Sequence, residues 1–262
     1  MTFSFANEAP QLMLSKAPLV QALCQVRFAP VPELVDDDNE RKMAALLEDT
    51  YPIRGTVQGA QLPVFGGPAN LPLETFRTFE DLDGHWKVTV AQDAVTLETR
   101  EYFDRDDLLN RTSAVLTALG QVRQPPIMTR VGVRYTDRIL KPEGLRALVQ
   151  PSLLGLLPEV DDDQLVDHQS TQVALRDATT NAQVLVRSLL LPPGAQFDPN
   201  IAGVDVPSWV LDIDSSKQQN LRFDVHEVVE MARLLAKLAY QVFYWAVTDE
   251  FRANYGVSEG ES

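Results

Sequence analysis

The chain has 262 residues, 45% of them hydrophobic, and a formal net charge of −14. That length and composition suffice for a sizeable core, and the acidic balance repels phosphate backbones, which disfavours generic nucleic-acid binding. The lone cysteine, Cys24, cannot close an internal disulfide, so a reducing compartment is the natural reading. The stretch 1–10 includes Glu8 and lacks a basic start followed by an apolar run, and no segment holds the roughly 18 uninterrupted apolar residues of a membrane helix. A cytoplasmic protein with no membrane association is expected. The acid is not concentrated in a tail: 1–126 and 127–262 each carry seven more acidic than basic residues.

In chain order, Leu19 to Phe28 is rich in β-formers and stops before Pro30 and Pro32, which predicts a strand. Asp36, Asp37 and Asp38 then supply cap candidates for a helix with Met43, Leu46 and Leu47 on its apolar side, ending before Pro52. Residues 52–73, with Gly66, Gly67 and Pro68, read as a long connection. Three strands follow, Thr75 to Leu82, Trp86 to Ala91 and Ala94 to Arg100, joined by the short turns Asp83-Gly84 and Gln92-Asp93. Asp104 caps a helix carrying Leu108, Leu109, Val115, Leu116 and Leu119, with its end near Gly120.

Pro125 and Pro126 break the chain, and the order starts again. Met128 to Leu140 predicts a strand, Pro142 to Leu157 a helix, and Val166 to Arg176, Ala182 to Leu191 and Ser208 to Asp214 three more strands. A Pro/Gly loop, 192–207, separates the last two. Asp224 and Glu227 form a capping box for a final helix whose apolar stripe, Val225 to Ala246, lasts about six turns. Gln25-Val26-Arg27-Phe28 and Gly132-Val133-Arg134-Tyr135 repeat branched apolar, arginine and aromatic in one phase.

Strands joined by tight turns pair antiparallel, because parallel neighbours need helical crossovers. The predicted fold is therefore α+β. Two pseudo-repeated β-α-β-β-β-α halves, 1–126 and 127–262, would form one compact unit with a mainly antiparallel curved sheet gripping long helices. The nearest architecture is a helix-grip or TATA-binding-protein-like saddle, an analogy without functional force.

Four segments carry a resemblance: Ala17 to Phe28, Val131 to Ile139, Leu211 to Asp214, and His226 through Phe243 to Arg252. In combination and order they resemble a sporadically distributed family of bacterial and archaeal proteins of unknown function and about this size. The family supplies no established catalytic residues, so the resemblance carries no chemistry over to this chain.

No phosphate-binding Gly loop, paired Cys/His metal spacing, G-x-S-x-G elbow or H-E-x-x-H occurs. His85, His168 and His226 would have to converge from a turn, a strand start and a helix start to form a site. Asp212 and Asp214 leave one face of a strand, and with Asp137 they could hold Mg²⁺ for phosphoester chemistry. The competing reading pairs Asp212 with Arg134 or Arg138 and lets Asp214 end its strand. Arg134 and Arg138 also share a face. If the opening strands pair, they would meet Arg27 and clasp a small anionic ligand, unless the three are spent on internal ion pairs. Tyr240, Phe243, Tyr244, Trp245 and Phe251 make the last helix densely aromatic. Tyr244 and Trp245 are candidate interface residues for a protein partner or self-association, with internal packing as the alternative.

With no cofactor implied, the leading expectation is a non-catalytic binding or interaction protein, an accessory, immunity-like or antitoxin-like component of a bacterial defence system. The rival is a metal-dependent phosphoesterase or nuclease using Asp137, Asp212 and Asp214.

Overall fold

The computed structural model describes residues 9, 10, 12, 14–59, 74–161 and 166–256. The fold is α+β, with nine strands in one open antiparallel sheet and five α-helices among the described residues. The strands are β1 Leu19–Phe28, β2 Ile53–Gly59, β3 Glu74–Glu80, β4 Trp86–Val90, β5 Ala94–Thr99, β6 Ile127–Leu140, β7 Gln169–Arg176, β8 Gln183–Leu191 and β9 Ser208–Arg222. Their order is β2-β3-β4-β5-β1-β6-β9-β8-β7. The helices are α1 Asp37–Leu47, α2 Arg105–Arg123, α3 Leu145–Leu148, α4 Val225–Ala246 and α5 Asp249–Tyr255.

Contacts divide the chain into two compact units. One comprises Leu23–Gly132 and Lys217–Arg233. Here alternation along β1 buries Cys24, Val26 and Phe28, and the first two line a common space with Val95, Leu97, Thr112, Val115 and Leu116 of β5 and α2. β-Branched and aromatic residues suit a pleated, half-buried surface, and α2 covers it with Leu108, Leu109, Leu116 and Leu119, all fully buried. Burial also pushes the Cys24 thiol up to about 12, so it packs as a small apolar group. α2 starts at Asp104, whose Oδ1 accepts from the Asp107 N–H at 2.7 Å.

The other unit comprises Met1–Ala22, Val133–Ser216 and Leu234–Ser262. Its core gathers Ile139 of β6, Val184 and Val186 of β8, and Trp209, Leu211 and Ile213 of β9 under Ala239, Val242 and Ala246 of α4 and Phe251 of α5. The β8/β9 register sets Val186 opposite Ile213 and Ser188 opposite Leu211. Ser188 thus reaches the core face, where its Oγ accepts from Trp209 Nε1 at 2.9 Å. The residues between them leave the opposite face, and Arg187 stands directly across from Asp212.

Several sequence expectations are corrected. β2 forms within the stretch expected to be a connection, pairing residue for residue with β3; its exposed edge gives it no alternating apolar signal. The element order of 1–126 is accordingly one strand richer than β-α-β-β-β-α, and the order of 127–262 gains α5. Gly66, Gly67 and Pro68 lie outside the described residues. The helix expected over Pro142–Leu157 is α3 followed by 3₁₀ turns at Pro151–Leu153 and Leu157–Glu159. Left-handed Gly144 and Gly155 and the N–H-less Pro151 break it up. β9 continues past Asp214 to Arg222, and α2 runs through Gly120 to Arg123. Asp36 makes no side-chain cap for α1, while Asp37 and Asp38 lie in its first turn, favourable to the helix dipole.

The caps of the two long helices are testable. Asp224 Oδ1 accepts from the Glu227 N–H at 3.0 Å, as Asp104 does for α2. Asp104→Ala and Asp224→Ala should each lower unfolding free energy by about 1 kcal/mol in urea titrations. A loss below about 0.3 kcal/mol in both would contradict the capping roles.

Candidate functional site: a buried charged face

The face of β6, β9 and β8 turned away from the apolar core carries charge. Asp212 is 0% exposed, and a lone carboxylate there would be untenable. Both its oxygens are engaged. Oδ1 accepts from Arg134 Nε at 2.5 Å and from Thr136 Oγ1 at 2.9 Å. Oδ2 accepts from Arg187 Nε at 2.7 Å, and Arg187 Nη2 closes on the same oxygen. Strand alternation sets this up: Arg134 and Thr136 are two apart on β6, and Arg187 lies opposite Asp212 on β8.

The 192–207 loop between β8 and β9 contributes the next layer. It closes on itself where the Gly194 N–H, on left-handed backbone, donates to Val204 O at 2.7 Å. Asp198 is buried; its Oδ2 accepts from Arg134 Nη1 at 2.6 Å and its Oδ1 from the Asn200 N–H at 2.8 Å. Arg138 Nη1 donates to Ala202 O at 2.7 Å, and its guanidinium carbon lies 5.5 Å from the centre of the Phe197 ring. Both guanidiniums therefore reach the stretch 197–202.

Three nitrogens of these arginines, Arg134 Nη2, Arg138 Nε and Arg138 Nη2, are buried without a hydrogen-bond partner, as is Ser208 Oγ at the start of β9. The two arginines also differ electrostatically. Burial opposes the charge on Arg134, but Asp212 and Asp198 outweigh it and hold its pKa well above the ordinary value. Arg138 has no such anion, and burial draws its pKa below the usual guanidinium range.

The residues singled out in the sequence are only partly brought together. Arg134 and Arg138 share this face; Arg27 belongs to the other unit, where its Nη2 donates to Asp93 Oδ2 at 2.5 Å. Asp214 leaves the same face of β9 as Asp212. Asp137, next to Thr136, leaves the opposite face, alongside Ile139 of the apolar core. Among the described residues no three His, Cys, Asp or Glu side chains are grouped to hold a metal ion. Arg252 stacks 4.3 Å from the centre of the Tyr244 ring and donates to Tyr244 O at 2.9 Å, while Trp245 packs partly buried against the core.

No protein-family model and no curated protein matches this chain.

Sequence reasoning missed Arg187, Asp198 and Ser208. Arg187 did leave a signal, a charge inside the apolar run Val184 to Leu191, which can be buried only against an opposite charge. Asp198 left none, because an Asp-Pro step in a loop reads as a turn. No described helix is long and apolar enough to cross a membrane.

Asp137, 5% exposed, makes stability depend on pH. Burial first, and the Asp212 charge second, push its carboxyl up to about 7. Because the folded pKa exceeds the unfolded one, the folded chain binds more protons between those two values. Stability therefore falls as pH rises from about 4 to about 7, by at most about 1.4 kcal/mol per pH unit. Asp137→Asn should remove that slope and be more stable than the parent at about pH 8 than at about pH 5. Equal denaturation differences at both pH values would show that Asp137 does not titrate there.

Proposed function

We propose that this chain is a non-catalytic binding protein of the bacterial cytosol, of the sporadically distributed family it resembles, acting as an accessory, immunity-like or antitoxin-like component of a defence system. The supporting observation is an imbalance on the charged face. Both oxygens of Asp212 are engaged by internal donors, whereas buried donors of Arg134 and Arg138 are unspent. Such a face suits holding an anionic group. Metal-assisted hydrolysis needs carboxylate oxygens open to a cation, and at Asp212 a cation would have to displace Arg134, Thr136 and Arg187.

The half-buried Tyr244 and Trp245 at the end of α4 offer what aromatic surface they leave open to a protein partner or a second copy. The net charge of −14 favours a protein or small-molecule partner over nucleic acid. Native mass spectrometry of the protein purified from its own host tests the reading. A retained small-molecule adduct or a stable protein partner is expected. A bare chain with metal-dependent phosphoester hydrolysis that is lost in Asp212→Asn would overturn it in favour of the phosphoesterase.

A further inference from the structure

Arg138 is 7% exposed, yet only one of its three nitrogens is used, Nη1 on Ala202 O. The two unpartnered ones, Nε and Nη2, lie on the same edge of the guanidinium. Their N–H bonds point in parallel, the arrangement that takes two oxygens of one planar anion. A buried donor left unmatched is costly, so a bidentate edge withheld from the protein's own acceptors is available to an anion. This is unlike Arg134 on the same strand face, whose Nε and Nη1 are spent on Asp212 and Asp198.

We propose that this edge of Arg138 binds the carboxylate of a small organic acid, held between β6 and the 197–202 segment. The inference rests on the binding reading above and names its ligand class. Arg134 Nη2 and Ser208 Oγ are further buried donors without partners. Ser208 leaves the same face of β9 as Asp212 by alternation, and the Lys141 N–H donates to Pro207 O at 2.8 Å, which sets the start of β9 beside the end of β6. Phe197, next to the Arg138 guanidinium, and the buried Ile201 supply apolar surface for the carbon part of the ligand.

Charge selects the carboxylate over phosphate. Arg134, Arg138 and Arg187 against Asp198 and Asp212 leave one positive charge, and Asp214 on the same face adds a further negative one. These six side chains therefore balance to zero, so a carboxylate adds one unbalanced negative charge and a phosphate dianion two, which favours the carboxylate. The burial of Arg138 and Asp198 restricts the occupant to a small molecule, and the 197–202 segment would have to lift to admit it.

The experiment titrates the full chain with acetate, propionate, inorganic phosphate and chloride at matched ionic strength, following melting temperature and the Arg138 Nε–H resonance. The carboxylates are expected to raise the melting temperature and shift that resonance, and chloride and phosphate to do neither. Arg138→Lys keeps the charge but loses the two-donor edge, and should weaken carboxylate binding at least ~10-fold. Should Arg138→Lys not fold, the resonance shift in the parent protein decides alone. Equal effects of chloride and acetate, a preference for phosphate, or undiminished binding by Arg138→Lys would overturn the proposal. A host-purified protein carrying an occupant other than a carboxylate would sink this inference while leaving the binding reading intact.

Discussion

Asp212 is the constraint from which the arrangement of β6, β9 and β8 follows. Its carboxylate is wholly buried, and burying an ion without partners costs several kcal/mol. The partners come from both flanking strands: Arg134 and Thr136 on β6, Arg187 on β8. A one-residue slip of either strand would turn those donors to the apolar face. The cluster therefore fixes register. Its net contribution to stability is a separate matter, since well-packed apolar groups often replace buried ion pairs at little cost, whereas deletion of one partner strands the other.

The two faces of the same strands are divided by alternation. Trp209, Leu211 and Ile213 join α4 and α5 in the apolar core, while Asp212 and Asp214 leave the other way. Asp137 departs from this division, an acid on the apolar side whose pKa burial raises to about 7. On the charged side, the 192–207 loop brings Asp198 to Arg134 and the Ala202 carbonyl to Arg138. The loop thus half-satisfies two arginines whose remaining donors give the proposed site its chemistry. Function would then depend on the surplus of donors over acceptors, not on any single reactive group.

Much of this was legible in the sequence. Runs of β-forming residues bounded by Pro and tight turns gave eight of the strands, and caps with apolar stripes gave α2 and α4. The features that escaped reading have physical reasons. β2 is an exposed edge strand whose stability comes from pairing with β3, and pairing leaves no trace in local composition. The Pro142–Leu157 stretch has helical apolar spacing, but Gly144, Pro151 and Gly155 override it. At the site, the shared face of Arg134 and Arg138 followed from their even spacing, and the pairing of Asp212 with Arg134 was one of the two readings of that aspartate. That Arg187 is the second partner, and that Asp198 returns from a loop to Arg134, depends on register and loop closure, which local pattern does not encode. The carboxylate trio with Asp137 was a matter of parity: Asp137 and Thr136 are neighbours, and neighbours on a strand face opposite ways.

A double-mutant cycle on Arg134 and Asp212 tests the central claim most directly, with Arg134→Met, Asp212→Asn and the double variant unfolded in denaturant. If the buried pair anchors this face, the two changes should be strongly non-additive, with a coupling of at least about 1.5 kcal/mol. Additivity within about 0.5 kcal/mol would contradict it.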